Sequence, residues 1–468
     1  MTTQIKKKIS DSPVARWSVL FLVSFTMLTA YILADVMAPL KTMLEQQLMW
    51  SSSDYGIFTS GYGLFNIFLL MLIFGGMILD RKGARFTGVL AVVIMLVGTC
   101  IKYTAVATDF GNQIVSPSIF GWTIFSIKKQ VLLATLGFAV LGVGIEMIGI
   151  TANKVVVKWF SGRSLALAIG LNTATGRIGT AIAMFGSLPY AKAMGHPSAP
   201  LLLCLLLLCI GLMTFLVFII MDRKLDAQTR EAEKAEGRSE EDKFKFSDIL
   251  AIARIRAFWY ITILCILFYS AVFPFLKYAT ELMIQKFDVA PDFAGVIPGL
   301  LPFGNILLTP LFGSIYDHKG KGATIMVIGS VMLAAVHLLF AIPTLTQSWA
   351  AVVLTLILGA AFSLVPSAMW PSVAKIIPFN KLGTAYSMIF WIQNWGLSFV
   401  PMLIGFVLDK YCITGQREID GIVTTGYDYT LPMLIFALCG LLSIVFALLL
   451  KREDRIKDYG LERPNIVK

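Results

Sequence analysis

The sequence predicts an all-α membrane protein in which twelve transmembrane helices form two six-helix bundles. The 468-residue chain is 57% hydrophobic and only 14% charged, whereas a soluble domain averages roughly 45–50% apolar and about 25% charged residues. Apolar stretches of about 20 residues, each long enough to cross a hydrocarbon core about 30 Å thick, recur along nearly the whole chain. A charged segment and a repeated motif divide these stretches into two halves.

The apolar stretches define the positions of the twelve predicted helices. The first stretch is too long for a signal peptide, and no small-residue cleavage site follows it, so we count it as a span. The predicted spans are 17–40, 55–79, 86–105, 130–157, 164–189, 198–221, 258–284, 292–315, 322–343, 348–376, 382–408 and 431–450.

A charged segment near the middle of the chain separates the sixth span from the seventh. Residues 222–256 contain nine acidic and nine basic side chains. A run of this kind is typical of a solvated helix or a disordered linker. We therefore expect an N-terminal six-helix bundle (1–221), a cytoplasmic linker (222–256) and a C-terminal six-helix bundle (257–468).

The distribution of basic residues predicts the orientation in the membrane. Fourteen Lys and Arg side chains, Arg163 among them, fall in loops and helix ends on the side of the termini, against eight on the other side. Because basic residues concentrate on the cytoplasmic side, we expect both termini to be cytoplasmic, although Lys128 and Lys129 lie on the opposite side. This bias also explains the net charge of +11, so nucleic-acid binding is not expected. The absence of Asn-x-Ser/Thr acceptors favours a bacterial inner membrane.

A short motif occurs at corresponding positions in the two halves. Residues 76–83 (GMILDRKG) follow the second span, and residues 313–320 (GSIYDHKG) follow the eighth. The first glycine of each copy lets helices approach closely, and the second permits a tight turn. The aspartates, Asp80 and Asp317, can pair with a cation or a helix N-terminus across the interface between the halves.

Continued to Arg85, the first copy resembles the signature loop between helices two and three of the major facilitator superfamily. The resemblance implies two bundles related by a pseudo-two-fold axis along the membrane normal, with a solute site near the midplane. The signature acts in the rocking between conformational states. It therefore implies gating roles, and not ligand roles, for Asp80, Arg81, Arg85 and Asp317.

Two charged side chains at membrane depth are the main candidates for solute binding. Glu146 lies near the middle of span four and Arg177 near the middle of span five. Each charge costs roughly 2.5–3.5 kcal/mol at a helix centre, so each requires compensation. Glu146 shares a helix face with Asn153, which we also expect to bind solute. A carboxylate and a guanidinium at one depth suit a zwitterion, with Glu146 binding its ammonium group and Arg177 its carboxylate. The alternative is a structural Glu146–Arg177 pair that fixes the two helices.

Aromatic and amide side chains of the second half are expected to form the walls of the site. They are Tyr269 in span seven, Trp370 in span ten, and Trp391 and Asn394 in span eleven. Ordinary helix packing is the alternative explanation for the aromatic residues, whereas an amide at membrane depth needs a hydrogen-bond partner. We interpret Asp35 as a helix-end or gate residue. No His/Cys cluster has metal-ligand spacing, and neither a metal nor a cofactor is expected.

Several short strings narrow the family further. They are, in chain order, Gly142-Val-Gly-Ile-Glu146, Trp159-Phe160, Gly176-Arg177-Ile-Gly179, Ala271-Val-Phe-Pro-Phe275, Trp370-Pro371, Leu382-Gly-Thr-Ala-Tyr386 and Ile392-Gln-Asn394. Together they resemble the lysosomal dipeptide uniporter family of animals and its bacterial relatives. The resemblance implies a transporter, not an enzyme, that moves dipeptides or other short peptides held by their termini. Phe138 stands where the superfamily often has an arginine, which favours uniport over proton coupling.

Two other functions remain open at this point. An organic-anion or monocarboxylate carrier, similar to oxalate–formate exchangers, would hold its anion with cationic residues and would not need Glu146. A receptor or scaffold built on a transporter fold would tolerate loss of the gating motif. The expected partners are a short-peptide solute and the lipid bilayer. A monomer is the expected assembly, although the sequence does not determine the oligomeric state.

Overall fold

The computed structural model describes residues 9–111, 113–119, 122–123, 126–160, 164–233, 246–378, 381–419 and 421–464. Within these residues the protein is helical apart from three antiparallel two-stranded sheets. Ten of the described helical segments are long and apolar enough to cross a membrane. The expected all-α membrane fold is confirmed. Arg163 and residues 234–245 of the predicted linker lie outside the described part of the chain.

The described part of the N-terminal half contains seven α-helices, two 3-10 helices (Ile9–Asp11 and Ala38–Leu40) and two short antiparallel strand pairs, one enclosing the other. The helices are α1 Pro13–Asp35, α2 Lys41–Leu48, α3 Ser52–Phe68, α4 Met71–Ala107, α5 Lys129–Phe160, α6 Leu165–Met194 and α7 Ala199–Glu233. Strand β1 (Ile114–Val115) pairs with β4 (Ile127–Lys128), and β2 (Ser118–Ile119) pairs with β3 (Trp122–Thr123).

The described part of the C-terminal half contains eight helices and one hairpin. The helices are α8 Phe246–Ala253, α9 Arg256–Phe287, α10 Pro291–Ala294, α11 Val296–Lys319, α12 Gly322–Ala341, α13 Ser348–Ile376, α14 Leu382–Tyr411 and α15 Thr430–Lys457. Strand β5 (Ile413–Ile419) pairs with β6 (Ile422–Tyr427). The division of the chain at 222–256 stays a prediction.

Helices lie at all twelve predicted spans within the described residues, including α6 and the α3 region, which are not among the ten segments counted above. Two of the spans are not single uninterrupted helices. The second span is α3 followed by the first part of α4, because Leu70 has φ +52° and interrupts the helix. The third span is the remainder of α4 after Gly83, whose φ is +80°. Gly320, the equivalent residue in the second motif copy, has φ +69°. The predicted turn role of the second motif glycine is therefore confirmed in both copies.

The start of α1 and the end of α15 lie on the same side of the helical bundle, here called the terminal side. The opposite side, which carries the β5–β6 hairpin, is called the distal side. On the distal side the backbones of the two halves are in direct contact. A Cβ added to Gly405 of α14 would lie 2.2 Å from the Ser52 oxygen of α3, and one on Gly295 would lie 2.3 Å from the Met184 oxygen of α6.

Glycines near the terminal side have open space instead. A Cβ added to Gly76, Gly149, Gly170, Gly313 or Gly383 would meet nothing within 4 Å. The described residues thus pack across the interface between the halves on the distal side and leave room at these terminal-side positions. The molecule is closed on its distal side.

The C-terminal segment packs on the turn that contains the second motif copy. The backbone N–H groups of Lys321 and Gly322 donate to the Glu462 oxygen at 3.0 Å and the Leu461 oxygen at 2.8 Å. A Cβ on Gly320 would lie 2.5 Å from the Arg463 carbonyl carbon. These contacts connect α11, α12 and the residues after α15.

Candidate solute-binding site

A cavity of about 230 Å³ lies between the two halves of the helical bundle. It takes side chains from α1, α3, α5 and α6 on one side and from α9, α13 and α14 on the other. Five of the seven residues expected to bind solute line it: Glu146, Arg177, Tyr269, Trp370 and Asn394. Asp35, Tyr62, Lys277 and Gln393 are among the further lining residues.

Glu146 projects from α5 toward α3. The Tyr62 hydroxyl donates a hydrogen bond of 2.8 Å to its Oε1 atom. Gly142, one helical turn earlier, makes this contact possible, because a Cβ there would lie 2.0 Å from the Tyr62 carbonyl oxygen. The close approach of α3 and α5 at Gly142 therefore brings a hydroxyl donor to the carboxylate.

Arg177 reaches the same cavity from α6. Its guanidinium carbon lies 5.0 Å from the ring centre of Phe362, 5.5 Å from that of Phe273 and 5.8 Å from that of Tyr31. Aromatic faces attract a cation with about 0.5–2 kcal/mol each, which is weaker than a desolvated ion pair. Among the described residues no ion pair joins Arg177 to Glu146, so the structural pair, the alternative to solute binding, is not formed in this state.

The second half contributes a polar aromatic wall. The Trp370 indole N–H donates to the Tyr269 hydroxyl at 3.2 Å, and its ring stacks on Phe390 with the centroids 4.9 Å apart. The Asn394 side-chain N–H donates to the Phe390 carbonyl oxygen at 2.9 Å. Its Oδ1 atom is buried without a hydrogen-bond partner in the described structure. It faces α3, because a Cβ added to Gly63 would lie 3.1 Å from it.

Two expected binding residues do not line the cavity. Asn153 lies two turns from Glu146 toward the terminal side, where its Oδ1 accepts a 3.4 Å hydrogen bond from the Asn172 amide. The Trp391 indole N–H donates to the Ile67 carbonyl oxygen at 3.0 Å and so joins the two halves. Their roles in solute binding stay predictions.

The four expected gating residues lie on the terminal side, away from the cavity. Asp80 pairs with Lys154 at 2.7 Å, within its own half and not across the interface. The Arg85 guanidinium lies 2.5 Å from the Asp226 carboxylate. Arg81 is exposed and Asp317 is half-buried at the end of α11.

Lys277 of α9 is a charged cavity residue that sequence reasoning missed. Its Nζ lies 2.6 Å from Asp35 Oδ1 and 2.7 Å from the Ala34 carbonyl oxygen. The Thr180 hydroxyl donates to Asp35 Oδ2 at 2.8 Å. The signal was present in the sequence, because a lysine inside span seven and an aspartate at the end of span one each require a partner. The pair links the halves at the distal end of the cavity.

Comparison with known proteins agrees with this architecture. A family model described as Major Facilitator Superfamily matches residues 19–401. The chain is 27% identical over 407 residues to the lysosomal dipeptide transporter MFSD1 of Bos taurus, covering 84% of this chain and 80% of that protein. It is 29% identical over 342 residues to the Gallus gallus protein of the same name, covering 70% and 72%. The solved structure of a D-xylose–proton symporter superposes with a TM-score of 0.66 at 14% identity, covering 92% of this chain and 97% of that one. The chain is a multi-pass membrane transporter that belongs to the Major Facilitator Superfamily.

Proposed function

We propose that the protein transports dipeptides, and other short peptides of similar size, as a uniporter by alternating access. One observation carries the proposal. Glu146 and Arg177 line the same cavity, and neither has an ionic partner among the described residues. A zwitterionic dipeptide supplies the two missing charges. Relatives named as dipeptide transporters, 27% and 29% identical to this chain, support the proposal.

The lining residues provide a role for each part of such a solute. The Glu146 carboxylate accepts hydrogen bonds from the peptide ammonium group, and the Arg177 guanidinium binds the peptide carboxylate through two parallel N–H donors. Tyr269 and Trp370 contact the side chains. The volume of about 230 Å³ is below the roughly 300–1,000 Å³ of pockets for drug-sized ligands, which favours a small solute.

The charge balance of the cavity argues against the organic-anion alternative. Arg177 and Lys277 are the cations among the residues that line the cavity, and Glu146 and Asp35 are the carboxylates. A carrier selective for anions would need an excess of positive charge at its site. Two cations and two carboxylates suit a zwitterion.

We further propose that the protein is a monomer in the bacterial inner membrane with cytoplasmic termini. Gln416 in β5 and Arg455 near the end of α15 are both exposed, on opposite sides of the bundle. In whole cells, an impermeant thiol reagent should label a Gln416→Cys variant and leave an Arg455→Cys variant unlabelled. The reverse pattern would contradict the proposed orientation.

The binding chemistry can be tested with dipeptides whose ends are blocked one at a time. Purified protein should be stabilised against heating by free dipeptides, by about 2.7 kcal/mol at 100-fold over Kd. N-acetylated and C-amidated analogues should each lose about 2–5 kcal/mol of binding free energy, the usual cost of removing one partner of a buried charge pair.

Two matched variants assign the ends of the peptide to their residues. In Glu146→Gln, N-acetylation should cause little further loss, while C-amidation should still weaken binding. In Arg177→Gln the pattern should be reversed. Equal affinity of the unaltered protein for free and doubly blocked dipeptides would exclude recognition of a zwitterion.

A further inference from the structure

A buried ionic cluster on the distal side joins the two halves in a second layer beyond the Asp35–Lys277 pair. Lys41 and Glu45 belong to α2 in the first half, and Glu281 belongs to α9 in the second. Lys41 Nζ lies 2.6 Å from Glu281 Oε2 and also forms an ion pair with Glu45. Glu281 follows Lys277 by one helical turn toward the distal end of α9.

The cluster contains one cation and two carboxylates. The side chains of Lys41 and Glu281 are each 1% exposed, and that of Glu45 is 9% exposed. One oxygen of each carboxylate, Glu45 Oε2 and Glu281 Oε1, is buried without a hydrogen-bond partner in the described structure. An unpaired buried charge costs several kcal/mol, and where two carboxylates share one site, ionisation of the second is disfavoured unless a second cation is present.

The described residues around the pair do not supply that second cation. Ser52 and Tyr429 donate hydrogen bonds to Glu45 and Glu281, respectively. The charged and titratable groups around the pair are Lys41, Tyr55, Tyr278, Tyr427, Tyr429 and Asp409. Lys41 is the only cation among these, and Asp409 adds a further negative charge whose oxygens accept from the backbone N–H groups of Ser52 and Ser53.

We propose that the Glu45–Glu281 pair is a proton-binding site, and that one proton binds to it whenever the distal side closes. Closure brings the two carboxylates together around Lys41 and removes water, so one carboxylate accepts a proton and becomes a neutral carboxylic acid. Opening separates Glu45 from Glu281, hydrates both, and returns the proton. Low pH on the distal side therefore favours the closed state.

The position of the site determines where its proton comes from. The Asp35–Lys277 pair separates the cluster from the cavity and from the terminal side. The proton accordingly enters from the distal solution and returns to it. Closure of the distal side is then sensitive to pH, while no proton crosses the membrane, which is compatible with uniport. The inference rests on the proposed transport cycle, but not on the identity of the solute.

The test measures the distal distance between the halves as a function of pH, without solute. Nitroxide labels on Asp109→Cys and Gln416→Cys, two exposed distal positions in a cysteine-free background, report closed and open populations by pulsed electron paramagnetic resonance. Between pH 5.5 and 8.5, the closed-to-open ratio of the otherwise unaltered protein should fall with rising pH. The fall approaches about tenfold per pH unit for one linked proton.

Three variants isolate the site. Glu45→Gln and Glu281→Gln each leave one carboxylate to pair with Lys41. Both variants should therefore stay closed, and their closed-to-open ratio should change less than about twofold over the same pH range. Lys41→Met leaves two carboxylates without a cation, so closure should require two protons and the pH dependence should steepen. Glu418→Gln, an exposed distal carboxylate in β5, is the matched control and should behave like the parent.

Two results would overturn the inference. One is a closed-to-open ratio that does not depend on pH, or that keeps its pH dependence in both glutamine variants. The other is acidification of proteoliposomes, followed with an internal dye, by one proton per dipeptide imported. If the distal distance does not depend on pH but dipeptides still bind, the proton-binding site is rejected and the proposed function stands. If the distal distance depends on pH but dipeptides are not recognised, the dipeptide function is rejected and the proton-binding site stands.

Discussion

Breaking the ion pair at the distal end of the cavity should release the two halves from each other. In Asp35→Asn the negative charge that pairs with Lys277 is removed, and the buried ammonium group keeps only uncharged partners such as the Ala34 carbonyl oxygen, 2.7 Å away. In the distal-open state water hydrates Lys277 whether or not the aspartate is present. The penalty therefore falls on the distal-closed state, and the substitution should increase the distal-open population.

The size of this effect follows from burial. Removing one partner of a buried ion pair costs about 3–5 kcal/mol. The side chains of Lys277 and Asp35 are 14% and 6% exposed, so the lower end of that range applies. At about 1.4 kcal/mol per factor of ten, a cost of about 3 kcal/mol shifts the closed-to-open ratio by roughly two orders of magnitude.

A double-mutant cycle separates the ion pair from other effects of the substitution. Lys277→Met also breaks the pair and should shift the ratio in the same direction. The double variant Asp35→Asn/Lys277→Met buries no unpaired charge, so it should recover most of the lost closure. The nitroxide pair at positions 109 and 416 reports the ratio at fixed pH.

Additive effects of the two single substitutions would show that Asp35 and Lys277 do not act as a pair. An unchanged distal distance in Asp35→Asn would show that the pair does not hold the closed state. Either result would refute the reasoning. Because the measurement uses no solute, a direct role of Lys277 in solute binding does not affect it.

Three further predictions follow from the close contacts and from the motif. Gly405→Ala should hold the distal side open, because the added Cβ would lie 2.2 Å from the Ser52 oxygen. Gly383→Ala in the same helix is the control: a Cβ there meets nothing within 4 Å, so the distal distance should not change. Tyr62→Phe removes the hydrogen bond to Glu146 and should change the affinity for free dipeptides by about 1.5–3 kcal/mol in a calorimetric titration, with a smaller change for N-acetylated analogues. Asp80→Asn should slow transport in proteoliposomes while leaving dipeptide affinity within a few-fold, and a loss of binding would contradict a gating role. Because the Asp80–Lys154 pair is largely exposed, the same substitution should change the free energy of unfolding by no more than about 1 kcal/mol.

The sequence could predict the spans because hydropathy and the length needed to cross a bilayer are local properties. It could not predict the break at Leu70, because a positive φ is uncommon for a leucine and has no local sequence signal there. The short helix α2 was also missed, since it is not long enough to give a periodic apolar signal.

The candidate site was predictable where a single helix carries a charged side chain at membrane depth. The cost of burying Glu146 and Arg177 singled them out, and both line the cavity. Contacts between distant helices were not predictable. The Tyr62 hydroxyl reaches Glu146 because α3 crosses α5 at Gly142, and Trp391 reaches Ile67 on the other half. Such contacts depend on crossing angles, which a single sequence does not encode locally.

The C-terminal segment has a mechanical consequence for the transport cycle. Its hydrogen bonds to Lys321 and Gly322, together with that from Lys375 Nζ to the Gly460 oxygen, connect the ends of α11, α12, α13 and α15 on the terminal side. When the halves approach each other on the terminal side, these four helix ends must move together. Separate movement would break the hydrogen bonds named above and leave their donors and acceptors unpaired. Residues 458–464 thus hold these four helix ends together, so that a displacement of one of them moves the other three.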